Sequence, residues 1–257
     1  KGVQLIMHHE TSGSVTNYER HMDTAYKFML AQGMHTVKTG YVNKYLDKKE
    51  WHDSQYGVRH YRKVVETAAK YHIMIDNHEP VKGTGLQRTY PNLMTQEGGR
   101  GQEYNAWSAD GGNTPEHTAT LPFTRMLSGP MDFTAGNFDF SYKTPNNAMV
   151  QTTLAKQLAL YVTMYSPLQM AADTPENYDR FPDAFQFIKD VAIDWSDSKY
   201  LEAEPGQYVT VARKAKVTNN WFIGNVNGET SRTSKIKFDF LEKGKKYEAT
   251  IYADAKD

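Results

Sequence analysis

The sequence predicts an α/β chain: a (β/α)8 TIM-type barrel, incomplete on its N-terminal side, followed by a small antiparallel β domain. Three observations carry this. Short apolar runs alternate with stretches of helical periodicity, the pattern of βα units on a parallel sheet. Ionisable residues collect where the apolar runs end, which in such barrels is the face that builds active sites. From about Tyr200 the helical periodicity stops, and short alternating runs divided by turn residues such as Asn227 and Gly228 take over. The expected division is therefore a catalytic barrel part over 1–200 and an antiparallel part over 201–257.

Taken in order, Val3–Met7 is an apolar run ended by His8, His9, Glu10 and a turn-like segment, as expected of a buried strand. Asn17 is placed to cap a helix in which Tyr18, Met22, Ala25, Tyr26, Met29 and Leu30 recur at helical spacing as far as Gly33. Met34–Val42 is the next strand, with Lys38 and Gly40 near its end. Arg59–Tyr71 is helical, with Tyr61, Val64, Val65 and Ala68 on one face. His72–Asp76 is a third strand running into Asn77, His78, Glu79 and Pro80.

Leu86–Leu93 reads as a short strand before a glycine-rich loop, Asn92–Trp107. That loop holds Glu97 and Glu103 around Gly98, Gly99 and Gly101, with Arg100 between the acids. Glycine lets backbone fold tightly and approach a ligand closely. Met131–Thr134 is a further strand tip, Asn146–Tyr165 a long helix, Pro167–Ala171 the last barrel strand and Asp183–Ile193 a closing helix. The remaining barrel units are expected upstream. Strands are expected at Tyr208–Ala212, Trp221–Val226, Ser234–Phe240 and Tyr247–Tyr252.

Composition narrows the function. The 257 residues include 30 basic and 30 acidic side chains, so a net charge of zero gives no electrostatic reason to expect nucleic acid or an anionic membrane as partner. With no cysteine, disulfides and thiolate metal sites are excluded. No apolar run approaches the roughly 20 residues of a membrane span. The chain opens on Lys1 with no signal peptide and reads as a piece of a longer protein. There is no GxxxxGK[ST] phosphate loop, HExxH, GxSxG or EF-hand spacing.

Glu10, Glu79, Glu97 and Glu103 fall at strand tips or in the glycine-rich loop, and His8, Lys38 and His78 sit at successive strand tips. Four acids on one barrel face are costly unless a cation offsets them or some share protons. Oxygen ligands without cysteine suit Ca2+ or Mg2+ better than Zn2+. Paired carboxylates also serve glycoside hydrolysis, where one protonates the leaving oxygen and another activates water or attacks the sugar. Both uses can coexist. A carbohydrate-binding protein without turnover and a metal-dependent phosphatase are the competing classes, and the missing phosphate cradle counts against the second.

HHETSGS, VKTGYV, DNHEP and PNLMTQEGGRGQEYNAW occur here in that order, and together they resemble the catalytic barrel of glycoside hydrolase family 97, a bacterial family of α-glucosidases and α-galactosidases. The resemblance covers most of residues 1–200, and the tail is similar to that family's C-terminal domain. It implies Glu103 as general acid and Glu10 with Glu79 as the bases that activate water. It implies Glu79, Glu97 and Glu103 as ligands of Ca2+, completed by an upstream β domain of the same protein. His8, Lys38 and His78 would contact the hydroxyls of an oligosaccharide substrate. Retaining members carry an aspartate nucleophile where this sequence has Gly40, so the expectation is inversion and starch-type α-glucosidic bonds. An α-galactosidase is the alternative within the family. A periplasmic or secreted location follows from the same likeness.

Overall fold

The computed structural model describes residues 2–141, 144 and 148–255, which divide into two compact units, Lys1–Gly99 with Ser128–Asp132, and Arg100–Leu127 with Phe133–Asp257.

In the first unit, strand β1 (Ile6–Glu10) leads to helix α1 (Val15–Ala31) and strand β2 (Thr36–Gly40). A hairpin of two short strands follows, β3 (Tyr45–Leu46) and β4 (Glu50–Trp51), then α2 (Gln55–Lys70), β5 (Met74–Asn77), a 3-10 turn at Leu86–Arg88 and β6 (Leu93–Gln96). β1, β2, β5 and β6 form one parallel sheet in that order. On α1, Tyr18, Met22, Tyr26 and Met29 recur at intervals of three and four, so one stripe faces inward. α2 does the same with Tyr61, Val64, Val65 and Ala68. These stripes join Val37, Ile73, Ile75 and Leu93 in one apolar cluster. Each such side chain, once buried, contributes about 1.5–3 kcal/mol.

Local chemistry sets the boundaries. Asn17 is not the cap expected of it: α1 begins earlier, and its side chain instead accepts a hydrogen bond from Arg20. The first turn is capped from the hairpin, where Asp47 accepts from the Thr16 amide at 3.1 Å and from the Thr16 hydroxyl at 2.6 Å. For α2 the cap is local, the Ser54 hydroxyl accepting from the Tyr56 amide at 3.2 Å. A Cβ built on Gly57 overlaps the His52 carbonyl oxygen and lies 3.4 Å from Leu46. Alanine normally favours a helix over glycine by about 1 kcal/mol, but Gly57→Ala is expected to destabilise by about 1–3 kcal/mol, read as a lower urea midpoint. A gain in stability would show that the hairpin can yield.

Several elements differ from expectation. Strand structure lies at Leu93–Gln96, not Leu86–Leu93, because Gly85, in the left-handed region, starts a 3-10 turn. The loop Asn92–Trp107 therefore opens as a strand. Met131 adds only an isolated parallel bridge to Gln96, extended by the Asp132 amide donating to the Gln96 carbonyl at 3.0 Å.

The second unit contains α3 (Tyr104–Trp107), α4 (Pro115–Thr120), α5 (Leu154–Thr163), α6 (Pro175–Asp179) and α7 (Pro182–Asp190). An antiparallel sheet follows, β7 (Trp195–Glu204), β8 (Tyr208–Ala215) and β9 (Trp221–Asn227), in that order. α5 lies close on β9, where a Cβ on Gly224 would stand 2.8 Å from the Ala159 carbonyl oxygen. Lys156 ties the same contact, donating to the carbonyls of Pro115 at 3.0 Å and Asn227 at 2.8 Å. The sheet starts at Trp195, earlier than the change of texture near Tyr200 suggests.

The helix expected over Asn146–Tyr165 is shorter. Asn146 itself lies outside the described residues, and Thr153 caps the helix by accepting from the Lys156 amide at 3.2 Å. Pro167–Ala171 forms no strand; the Leu168 and Met170 carbonyls accept from the Ser166 and Tyr161 hydroxyls instead of a ladder. Ser234–Phe240 and Tyr247–Tyr252 are also not strands. The first is tied by side chains, Glu202 accepting from Arg232 at 3.0 Å and from the Lys235 amide at 3.2 Å.

Candidate active site

Strand register assembles the ionisable residues. His8 pairs with Lys38, Lys38 with Asp76, and Glu10 with Gly40. Side chains two apart on a strand share a face, so His8, Glu10, Lys38, Gly40 and Asp76 lie on one side of the sheet, and His78 continues the alternation of β5. Glu10 is thus the last residue of a strand and not part of a polar tip beyond it.

Glu10 and Glu79 converge on Gly40. The Tyr41 amide donates to Glu79 Oε2 at 2.8 Å, and the amides of Ser12 and Val42 donate to Glu10 Oε1 at 2.7 and 3.3 Å. A Cβ built on Gly40 overlaps Glu10 Oε2 and lies 3.2 Å from Glu79 Oε2. The two carboxylates share the space that a side chain at residue 40 would fill.

Glu79 is held in an unusual conformation, with φ at 44°. Such a backbone costs of order 1–3 kcal/mol in a residue with a Cβ and persists only where surroundings enforce it. Three contacts do so. The Glu79 amide donates to Glu97 Oε2 at 3.2 Å, and its carbonyl accepts from His52 Nε2 at 2.7 Å and from the Tyr61 hydroxyl. Burial, followed by the charge of Glu79, pushes the Tyr61 phenol far above its usual range, so it serves as a donor. Tyr61→Phe is expected to cost about 1–3 kcal/mol and to lower turnover. An unchanged urea midpoint would remove Tyr61 from the support of Glu79.

Behind these acids lies a buried polar cluster. Asp132 Oδ2 accepts from His78 Nε2 at 2.7 Å and from Lys38 Nζ at 3.3 Å. Burial alone would raise the Asp132 carboxyl, but the hydrogen bond from His78 and the charge of Lys38 hold it well below the usual carboxylate range. Asp76 moves the other way, pushed well up by burial and by the charge of Asp132. Glu97 is buried, with Oε2 3.6 Å from His78 Nδ1. The ligand atoms of His78, Glu79 and Glu97 lie within 4.8 Å of one another.

The first unit therefore brings together Glu10, Glu79, Glu97, Lys38 and His78. His8 is exposed on β1 beside Lys38. Glu103 is exposed at the start of α3 in the second unit, with no side-chain capping bond. Asp76, Asp132, Tyr61 and His52 were not singled out by sequence. The alternation of β5 could have found Asp76, two residues before His78; nothing local marks the others.

Paired carboxylates on the strand ends of a parallel α/β sheet, with a lysine and imidazoles on the same face, are the equipment of a hydrolase that cleaves acetals by acid–base chemistry. The family description "Glycoside hydrolase 97" matches residues 1–99, and "Glycosyl-hydrolase 97 C-terminal, oligomerisation" matches residues 194–257. The chain belongs to glycoside hydrolase family 97. It is 32% identical over 245 residues to a retaining alpha-galactosidase of Bacteroides thetaiotaomicron, covering 92% of this chain and 35% of that protein. It is 31% identical over 235 residues to a probable retaining alpha-galactosidase of Streptomyces bingchenggensis, covering 91% and 33%. The chain thus spans about a third of the length of these curated relatives.

Solved structures of a family 97 enzyme from Pseudoalteromonas sp., one a variant in complex with panose and one in complex with acarbose, match at 52% identity and a TM-score of 0.89. Each match covers 95% of this chain and 39% of the other. The names of the two curated relatives run against the inversion expected from the sequence and favour the α-galactosidase alternative. Among the described residues no helix is long and apolar enough to cross a membrane.

Proposed function

We propose that this chain carries part of the active site of a glycoside hydrolase acting on α-linked gluco-oligosaccharides, and that its parallel strands are part of a (β/α)8 barrel. The substrate reading draws on the panose and acarbose complexes of the 52% identical structures. The barrel reading draws on the parallel sheet with its crossover helices and on the same likeness.

The observation that carries the mechanism is the meeting of Glu10 and Glu79 over Gly40. A retaining reaction needs a side chain that bonds the anomeric carbon. The position that the family likeness gives to that side chain is glycine here, and the space is taken by two carboxylates. Backbone amides fix one oxygen of each acid. In our reading the acids orient a water and take its proton, which sets the attack against the retaining names of the 32% and 31% identical relatives. Glu103 keeps the role of general acid, and His8, Lys38 and His78 bind sugar hydroxyls. Hydrolysis of an α-glucoside by the full-length protein, followed by proton NMR before mutarotation, tests this. The expected first product is the β-anomer; the α-anomer would remove the water-activating role from Glu10 and Glu79.

The family likeness also implies Ca2+, and the donor set fits. Two carboxylates, one of them buried, offer oxygens in a tight group with His78, and calcium takes oxygen ligands. Glu79 and Glu97 would hold it, with Glu103 the further ligand the likeness gives. A bound calcium would supply positive charge that lets these acids stay ionised side by side. Calcium at about a hundredfold over its dissociation constant stabilises by about 2.7 kcal/mol. Chelation is therefore expected to lower the melting temperature of the full-length protein by several degrees, calcium to restore it, and Glu97→Gln to abolish the shift. A melting curve indifferent to chelator would exclude the ion.

A further inference from the structure

Asp76 sits in the middle of β5, in register with Lys38 on one side and Thr95 on the other. It is fully buried, and neither carboxyl oxygen has a hydrogen-bond partner among the described residues. His78 Nε2 stands 3.8 Å from Asp76 Oδ2 and gives its proton to Asp132 instead. Asp132, equally buried, takes both that proton and the Lys38 ammonium on one oxygen. Ligand atoms of Asp76, His78 and Asp132 lie within 4.8 Å of one another. Two carboxyl groups are thus buried side by side, one supplied with donors and the other with none.

An ionised carboxylate left in this state would carry a penalty of several kcal/mol. Another part of the protein cannot relieve it, because this chain's own atoms already enclose Asp76 completely. A divalent cation between the carboxyls would relieve it, but the Lys38 ammonium already supplies positive charge to Asp132. A proton relieves it with the atoms present. A protonated carboxyl has one O–H to give, and an ionised carboxylate within reach is its natural acceptor.

We propose that Asp76 is a protonated carboxylic acid donating its O–H to Asp132, and that the pair positions Lys38 and His78 on the face that carries Glu10 and Glu79. The upward shift of Asp76 and the downward shift of Asp132 agree with this division of one proton between two acids. Two further charged groups act on Asp76: Lys38 opposes the neutral form and Glu97 favours it, and burial beside Asp132 outweighs Lys38. Asp132 then remains a full acceptor for both of its donors, Lys38 and His78. Asp76 is a positioning residue, acting through Asp132 and not on substrate. That Lys38 and His78 hold sugar hydroxyls rests on the proposed function; the protonation state does not.

The test has two arms on the full-length protein. Infrared difference spectroscopy of protein with 13C-labelled aspartate should show a carboxylic-acid carbonyl band near neutral pH, shifted by the isotope and absent from Asp76→Asn. In the kinetic arm Asp76→Ala removes the donor, whereas Asp76→Asn keeps one in the same shape. Loss of a hydrogen bond of ordinary strength corresponds to about a tenfold rise in KM. That rise is expected for Asp76→Ala, with kcat on an activated glycoside changed less, and Asp76→Asn is expected to recover most of it. Absence of the acid band, or a stoichiometric divalent metal that Asp132→Asn releases, overturns the proposal. So does an Asp76→Asn variant as impaired as Asp76→Ala. A parent protein that shows the band but hydrolyses no glycoside would overturn the proposed function and leave the protonated pair standing.

Discussion

Gly40→Ala is expected to fold as the parent does and to lose about a hundredfold or more of its turnover. The fold should survive because Gly40 does not occupy the left-handed region, so alanine can adopt its backbone. The atom that the new methyl meets is the far end of a flexible side chain, Glu10 Oε2. Glu10 can swing away at little cost, but it then leaves the Ser12 and Val42 amides that fix its carboxylate. Glu79, 3.2 Å from the same point, is pressed as well. Misplacing a reacting group by about 1 Å costs about a hundredfold. Steady-state kinetics with a thermal melt separate the two effects. A variant that keeps its melting temperature and its activity would show that the space over Gly40 is not where attack occurs.

The second large effect concerns Glu103 and Glu79 as a contrasting pair. Glu103→Gln is expected to lose about 10²–10⁴-fold on glycosides with poor leaving groups, the range a general acid supplies. It should lose far less on aryl glycosides whose leaving oxygen needs no proton. Glu79→Gln is expected to lose activity by a similar factor on both, because water must be activated whatever leaves. The readout is kcat/KM across leaving groups of graded acidity. Steep dependence for Glu103→Gln and flat dependence for Glu79→Gln is the expected outcome; equal slopes would take the acid role from Glu103.

Much of this arrangement was legible in the sequence, for physical reasons. Apolar runs that end in His8–Glu10, Lys38–Gly40 and His78–Glu79 mark strands in a parallel sheet. The period of two within a strand then fixes which residues share a face. What escaped was set by partners distant in the chain. Asp132 matters because it meets Lys38 and His78, and Tyr61 because it reaches the Glu79 carbonyl from the middle of a helix. Asp47 caps a helix that begins far before it, so Asn17 was a reasonable but mistaken local choice. The segments Ser234–Phe240 and Tyr247–Tyr252 alternate as strands do, but alternation describes only a ribbon's two faces, and they form no ladder with a neighbouring strand among the described residues.

The register of β1, β2 and β5 constrains the two acids of the site unequally. Glu10, Gly40, Lys38 and Asp76 are placed by ladder hydrogen bonds between neighbouring strands, where a slip of one residue would turn each to the opposite face. The segments between strands are placed by individual side-chain contacts instead, and one of them, the Tyr45–Trp51 hairpin, ends beside the His52 that holds Glu79. Changing the length of that segment would therefore disturb Glu79 while leaving Glu10, Lys38 and Asp76 where the ladder puts them. Glu10 is thus tied to the ladder and Glu79 to the hairpin, so the two acids that meet over Gly40 answer to different parts of the chain.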